Sequence, residues 1–342
     1  GGIRVMAGVG AGVGARGRRQ AMLCVALTAT LAACSTPPPP TAELDEAPLS
    51  PRSAPPPPGS ILDGAGIAPE ETFNVSSDGW PGSLRPGTEA DRDGVHTRRI
   101  KERGRIIVGV DQSQYLLSSR DQSRGQLRGF EIDLAHEIAQ DIFGDPTKVD
   151  FRFVNSASRT SSLRSGTVDV VVLTMSVTPK RAAEVDFSTP YMTSDVRMLA
   201  PKDRGIDGID DLAGRTVCIV DGTNLLDLVR EKMPESKILR TRSWSDCLMA
   251  TQQYQADAVV GDDAVLAGMV AQDPLTKVFP EQLARQVYAV AAPRGHDDLV
   301  RQVNSTIERL RGSENWDRMY QQWFAGSLTN PELPAPMYRE DS

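Results

Sequence analysis

From residue 106 onward, short apolar runs alternate with longer stretches of helical spacing. The runs at 106–110, 149–154, 168–173, 217–220 and 256–260 are rich in β-branched residues and predict strands. Between the first two, Ile132, Leu134, Ala135 and Ile142 predict a helix. Strands alternating with helices argue for an α/β fold with mostly parallel strands. The pattern also echoes itself. Arg105 to Asp111 and Arg215 to Asp221 both run from Arg through an apolar core to Asp, and the stretches ending at Thr174 and Asp262 both open on a strand-leading Asp. Two similar lobes follow, each with polar groups at the carboxyl ends of its strands, where open α/β sheets bind ligands.

The first hundred residues read differently. An apolar run at 21–33 follows Arg16, Arg18 and Arg19 and ends Leu31-Ala32-Ala33-Cys34. At about 13 residues it is too short to cross roughly 30 Å of hydrocarbon and has the layout of an export signal. The small residues before Cys34 resemble a bacterial lipobox, which implies a lipid-bearing Cys34 and a chain anchored on the outer face of the cell membrane. Residues 35–98 hold the proline clusters 37–40 and 55–58 with no sustained apolar periodicity, so a disordered tether is expected, useful for reaching a membrane partner or merely as a spacer.

Charge and cysteines narrow the classes further. The chain carries a formal charge of −7, and loss of the arginine-bearing signal makes the remainder more acidic still, which disfavours a nucleic-acid partner. With Cys24 in the signal and Cys34 lipidated, Cys218 and Cys247 remain in an oxidising space and predict a disulfide, the alternative being two buried thiols. His96, His136 and His296 are scattered, so neither a metal nor another cofactor is expected, and no P-loop pattern for ATP is present.

The stretch from Thr174 to Arg181 carries the most chemistry. Thr178 can cap a helix opened by Pro179, leaving Arg181 beside free backbone N–H groups. Those donors and a guanidinium favour a carboxylate. Thr174 and Ser176 alternate toward one side and add hydroxyls. A capped surface helix with a solvated arginine is the plainer alternative.

Five segments together resemble the polar amino-acid-binding proteins of ABC importers. They are Gly129-Phe130-Glu131-Ile132-Asp133-Leu134, the span holding Leu163, Gly166 and Asp169, the Thr174 to Arg181 stretch, Val185-Asp186-Phe187-Ser188-Thr189-Pro190-Tyr191, and the late span holding Trp316 and Phe324. The resemblance implies a bilobal, type II periplasmic-binding-protein-like α/β fold with a two-strand hinge. Its lobes would be 99–191 with 289–326, and 192–288, after a signal (1–33) and tether (34–98) and before a C-terminal tail (327–342). It further implies that Arg181 and Ser176, with Gly222 and Thr223 from the other lobe, hold a ligand α-carboxylate, and that Asp262 and Thr174 receive its ammonium. Asp111 and Tyr115 would line the pocket.

Arg159 resembles the arginine that glutamate and aspartate binders place near the distal carboxylate. The pair Cys218 and Cys247, with the span around Asp262 and Asp263, looks most like actinobacterial glutamate- or glutamine-binding lipoproteins. Val220 and Gly261 stand where some glutamine binders have lysine and histidine, so acidic amino acids are expected ahead of glutamine or asparagine. The implied role is a monomeric, non-enzymatic receptor that delivers an amino acid to a membrane permease. A receptor signalling through a membrane sensor is one alternative; a dehydratase or lyase on the same fold is another.

Overall fold

The computed structural model describes residues 54–73, 77–329 and 331–340. Cys34, the expected signal and the first part of the expected tether lie outside the described residues. The N-terminal segment contributes β1 (Ile61–Asp63), α1 (Glu89–Arg92) and α2 (Val95–Arg103). Lobe 1 follows with β2 (Ile106–Val110), β3 (Ser113–Gln114), β4 (Ser118–Arg120), β5 (Leu127–Arg128) and α3 (Phe130–Phe143). It continues through β6 (Val149–Phe153), α4 (Arg159–Arg164), β7 (Val170–Val171), α5 (Pro179–Ala182) and β8 (Val185–Phe187). Lobe 2 holds β9 (Met192–Pro201), β10 (Thr216–Val220), α6 (Leu225–Lys232), β11 (Lys237–Thr241) and α7 (Trp244–Gln252). It closes with β12 (Ala258–Asp262), α8 (Asp263–Gln272), β13 (Thr276–Val278) and β14 (Ala284–Tyr288). The chain returns to lobe 1 with β15 (Ala291–Pro293), α9 (Asp297–Arg311) and α10 (Asn315–Phe324).

The lobe 1 sheet has the order β6-β2-β7-β15-β8, and that of lobe 2 the order β1-β11-β10-β12-β9-β13, with β14 also on β9. In each, the first strand of the α/β repeat lies parallel between its neighbours: β2 between β6 and β7, and β10 between β11 and β12. Buried valines and isoleucines of these strands explain the apolar runs, because a parallel strand covered on both faces has no solvent side. Two connections, 188–191 leaving lobe 1 and 289–290 returning to it, run side by side between the lobes. Ser188 N–H donates to Val290 O at 2.8 Å and Tyr191 N–H to Tyr288 O at 2.9 Å, so the crossing is a paired hinge.

A disulfide joins Cys218 on β10 to Cys247 on α7, with a Cα separation of 5.6 Å. Residues 54–73 and 77–98 correct the expectation of a tether running to residue 98. β1 pairs antiparallel with β11 at the edge of the lobe 2 sheet, and α2 begins at Val95 and packs on α9. The Asp298 carboxylate accepts from the His96 and Thr97 backbone N–H groups at 2.9 and 2.8 Å. Asp63 pairs with Arg230 and Arg240 at 3.1 and 3.3 Å. Three apolar or acidic residues on an edge strand are too few to register as a periodicity, yet charge pairs and a borrowed ladder suffice to dock them.

Candidate functional site

The cleft between the lobes is built from strand ends. On lobe 1, Thr178 caps α5 and accepts from the Arg181 N–H at 3.2 Å, with Pro179 as the first helical residue. The cap turns the Arg181 side chain back toward the segment that precedes its helix. Its Nη1 donates to Ser176 O at 2.8 Å and to Ser176 Oγ at 2.6 Å, and its Nη2 reaches across to Gly222 O of lobe 2 at 3.3 Å. Arg159, at the start of α4, is buried and converges on the same point. Its Nη2 donates to Gly222 O at 3.3 Å, while Nε bonds Ser156 O and Nη1 bonds Leu173 O, at 3.2 and 2.9 Å. Burial pushes the Arg159 guanidinium down to about 10; burial, and then the Arg159 charge, push Arg181 to about 9. Both stay charged at neutral pH.

Gly222 makes this meeting achievable. It sits at φ +80°, and an added Cβ would lie 2.5 Å from Ala157 Cα, so only glycine brings the lobe 2 loop this close to lobe 1. Thr223 turns its hydroxyl onto Val220 O at 2.7 Å, within its own loop.

The opposing charge comes from lobe 2. Asp262 ends β12 and is 6% exposed. Gln286 Nε2 donates to its Oδ1 at 2.8 Å, and Asn224 Nδ2 donates to Gln286 Oε1 at 2.6 Å. Burial raises the Asp262 carboxyl to about 6; the Tyr288 hydroxyl, Gln286 amide and Arg181 charge pull the other way. Asp263 faces elsewhere, accepting from Ser194 Oγ at 2.6 Å. Asp111, at the end of β2, accepts from Ser113 N–H and Oγ at 2.6 and 2.7 Å, and burial raises its carboxyl too.

Thr174 lies in the left-handed region at φ 39°, unusual for a branched residue. It is held from three sides. Its N–H donates to Glu131 Oε1 at 2.6 Å, Arg159 Nη1 lies 3.4 Å from its carbonyl, and Gln114 Nε2 lies 3.4 Å from its hydroxyl. Glu131 is fully buried at the head of α3 and also accepts from Tyr191 Oη at 2.5 Å. Burial lifts its carboxyl to about 7. Sequence reasoning gave Glu131, Gln114, Gln286 and Asn224 no part in the site. Glu131 left a trace: it shares a helical face with Leu134, Ala135, Ile138 and Ile142, and a carboxylate on an apolar stripe needs a buried partner.

The structure therefore gathers Arg159, Thr174, Ser176, Arg181 and Gly222 at one point of the lobe boundary. The Arg181 and Asp262 charges each act on the other. Tyr115 is 44% exposed, and its carbonyl abuts Gly268 of lobe 2. Arg159 differs from its expected part. Most of its donors face backbone carbonyls, so it braces the Thr174 turn and the lobe contact. A cavity of about 530 Å³ opens beside the two arginines. One fixed cation and one desolvated anion, on opposite lobes, suit a small zwitterion.

Residues 106–326 match the profile of the bacterial extracellular solute-binding proteins, family 3. The chain is 31% identical to the ABC transporter glutamine-binding protein GlnH of Bacillus subtilis, over 66% of this chain and 82% of that one. It is 32% identical to the glutamine-binding protein of Geobacillus stearothermophilus, over 61% and 80%. Among solved structures, the solute receptor for L-cysteine of Neisseria gonorrhoeae superposes with a TM-score of 0.64 at 28% identity, covering 68% of this chain and 94% of that one.

Proposed function

We propose, from the fact that this chain belongs to the bacterial extracellular solute-binding proteins, family 3, that it captures a free polar amino acid between its lobes and presents it to an ABC permease. The observation that carries this reading is the split charge pair: Arg181 with Ser176 on one lobe and Asp262 on the other. The ligand carboxylate takes the Arg181 fork and the Ser176 hydroxyl, and its ammonium takes Asp262 and Thr174. A molecule held this way bridges the lobes and favours their closure.

Glutamine is the ligand we favour. A second carboxylate would add to the negative charge of Asp262, and most Arg159 donors are occupied by carbonyls. Two of the similar proteins are named as glutamine binders. Glutamate or aspartate is the second reading, supported by the paired positive charges of Arg159 and Arg181. The role we assign is non-enzymatic and extracytoplasmic, with Cys34 as lipid anchor.

Calorimetric titration with L-glutamine, L-glutamate, L-aspartate and L-asparagine tests the reading. Saturable heat for one of them, with affinity sharply weakened in Arg181→Ala, is expected, with the amino acid recovered intact. No heat with any of the four, or turnover of the bound compound, defeats it. Membrane retention of a Cys34→Ala variant would remove the anchor.

A further inference from the structure

Residues 54–73 lie ahead of the span matched to the family and belong to the cleft nonetheless. β1 fixes this segment to lobe 2, and further bonds follow it along that lobe. Gln255 Nε2 donates to Ala54 O and Pro55 O at 2.8 and 2.7 Å, Gly66 N–H to Pro234 O at 2.8 Å, and Glu70 N–H to Asp227 Oδ1 at 2.8 Å. Asp63 is held by two arginines of the same lobe. At Glu71 the segment changes partner. Its carboxylate pairs with Lys180 Nζ of lobe 1 at 3.1 Å. Lys180 neighbours Arg181, and Glu71, Thr72 and Phe73 line the cavity beside the two arginines. By Ser83 the chain is on lobe 1, with Ser83 Oγ donating to Phe187 O at 2.6 Å.

We propose that residues 54–73 form a third wall of the ligand cleft: a strap carried on lobe 2 and latched to lobe 1 by the Glu71–Lys180 pair. Anchoring is uneven. Lobe 2 holds the strap through a strand ladder, a buried arginine and several backbone bonds, whereas among its described side chains the ion pair with lobe 1 is between groups 57% and 71% exposed. An exposed pair is weak and screened by salt. A contact of that strength breaks readily when the lobes part and re-forms when they meet, as a latch must. The strap also crosses the cleft beside Arg159 and Arg181, so a ligand entering there passes Thr72 and Phe73.

Hydrogen exchange of the full chain, with no amino acid present, tests the latch through Glu71→Lys, Lys180→Glu and the double exchange of both. Either single change should speed exchange in residues 67–73 and in the cleft loop 222–225 by about two- to five-fold at low salt, the scale of an exposed pair. The double variant should restore the original rates. Unchanged rates, or faster exchange confined to 67–73, would overturn the latch. The proposal rests on the cleft being the binding site, yet this readout needs no ligand, so it fails or succeeds apart from the amino-acid assignment.

Discussion

Lobe 1 meets the cleft with two guanidinium groups braced by backbone carbonyls; lobe 2 meets it with a carboxylate steered by amide side chains. The arginines, pushed only to about 9 and 10, remain charged at any ordinary pH. Asp262, raised to about 6, loses its charge in mild acid. Lobe 1 thus supplies a permanent cation and lobe 2 a conditional anion. The lobes differ in covalent terms as well, because the disulfide lies wholly within lobe 2. The conditional side of the site is carried by the stapled lobe, where a rigid scaffold can hold a buried acid that has no cation in its own lobe adjoining it through a described hydrogen bond.

The largest effect that would break this comparison concerns the staple. Converting Cys218 and Cys247 to serine removes a cross-link between residues 29 apart, and should cost roughly 3–4 kcal/mol by the chain-entropy account. Denaturant unfolding measures it; protection of lobe 2 amides should fall more than that of lobe 1. Arg181→Ala comes next, with a loss of ligand affinity on the order of 100-fold, since it leaves a desolvated carboxylate unpaired. Calorimetry on the folded variant reads it. Thermal unfolding should show little change, because the bonds Arg181 gives to Ser176 and Gly222 are offset by the burial of its charge.

Asp262 sharpens the contrast through pH. Its folded carboxyl titrates near 6, above the ordinary carboxylate value of 3.8, so folding favours the protonated form. Its own contribution to stability is therefore greatest below the unfolded value and declines as pH rises through about 6. Ligand affinity moves the opposite way. The ammonium needs the carboxylate, so binding should weaken as pH falls through about 6, by about tenfold in all. Asp262→Asn should bind about tenfold more weakly at neutral pH, with that acid limb flattened. A limb that persists unaltered in the variant would shift the titrating group to Glu131, whose carboxyl lies near 7.

How much of this was readable beforehand depended on whether a residue's partner lay near it in sequence. The parallel strands announced themselves because two-sided burial leaves β2, β10 and β12 with little polar interruption. The Thr178 cap and Pro179 start are local chemistry, and the structure shows both. Arg159 was legible as a residue of interest while its role was not: its carbonyl partners on residues 156, 173 and 222 are fixed by folding alone. Glu131 contacts Thr174 and Tyr191 across 43 and 60 residues, and no local pattern encodes such a pairing. β1 was hidden for a related reason. Proline content describes how a segment behaves alone, whereas its docking is decided by Arg230 and Arg240 far down the chain.

The smallest effect isolates how lobe 2 steers its acid. Gln286 stands between Asn224 and Asp262, accepting from the first at 2.6 Å and donating to the second at 2.8 Å. A hydrogen bond to a charged acceptor favours the ionised form, so removing it should raise the Asp262 carboxyl further. In Gln286→Ala the acid limb of ligand binding should move upward by up to about one pH unit, with a loss of only a few-fold well above it. Asn224→Ala should move the limb in the same direction by less, since it acts on Asp262 only through Gln286. If Gln286→Ala instead weakens binding equally at every pH, Gln286 contacts the ligand itself, and the amide pair belongs to the recognition surface and not to the support of the carboxylate.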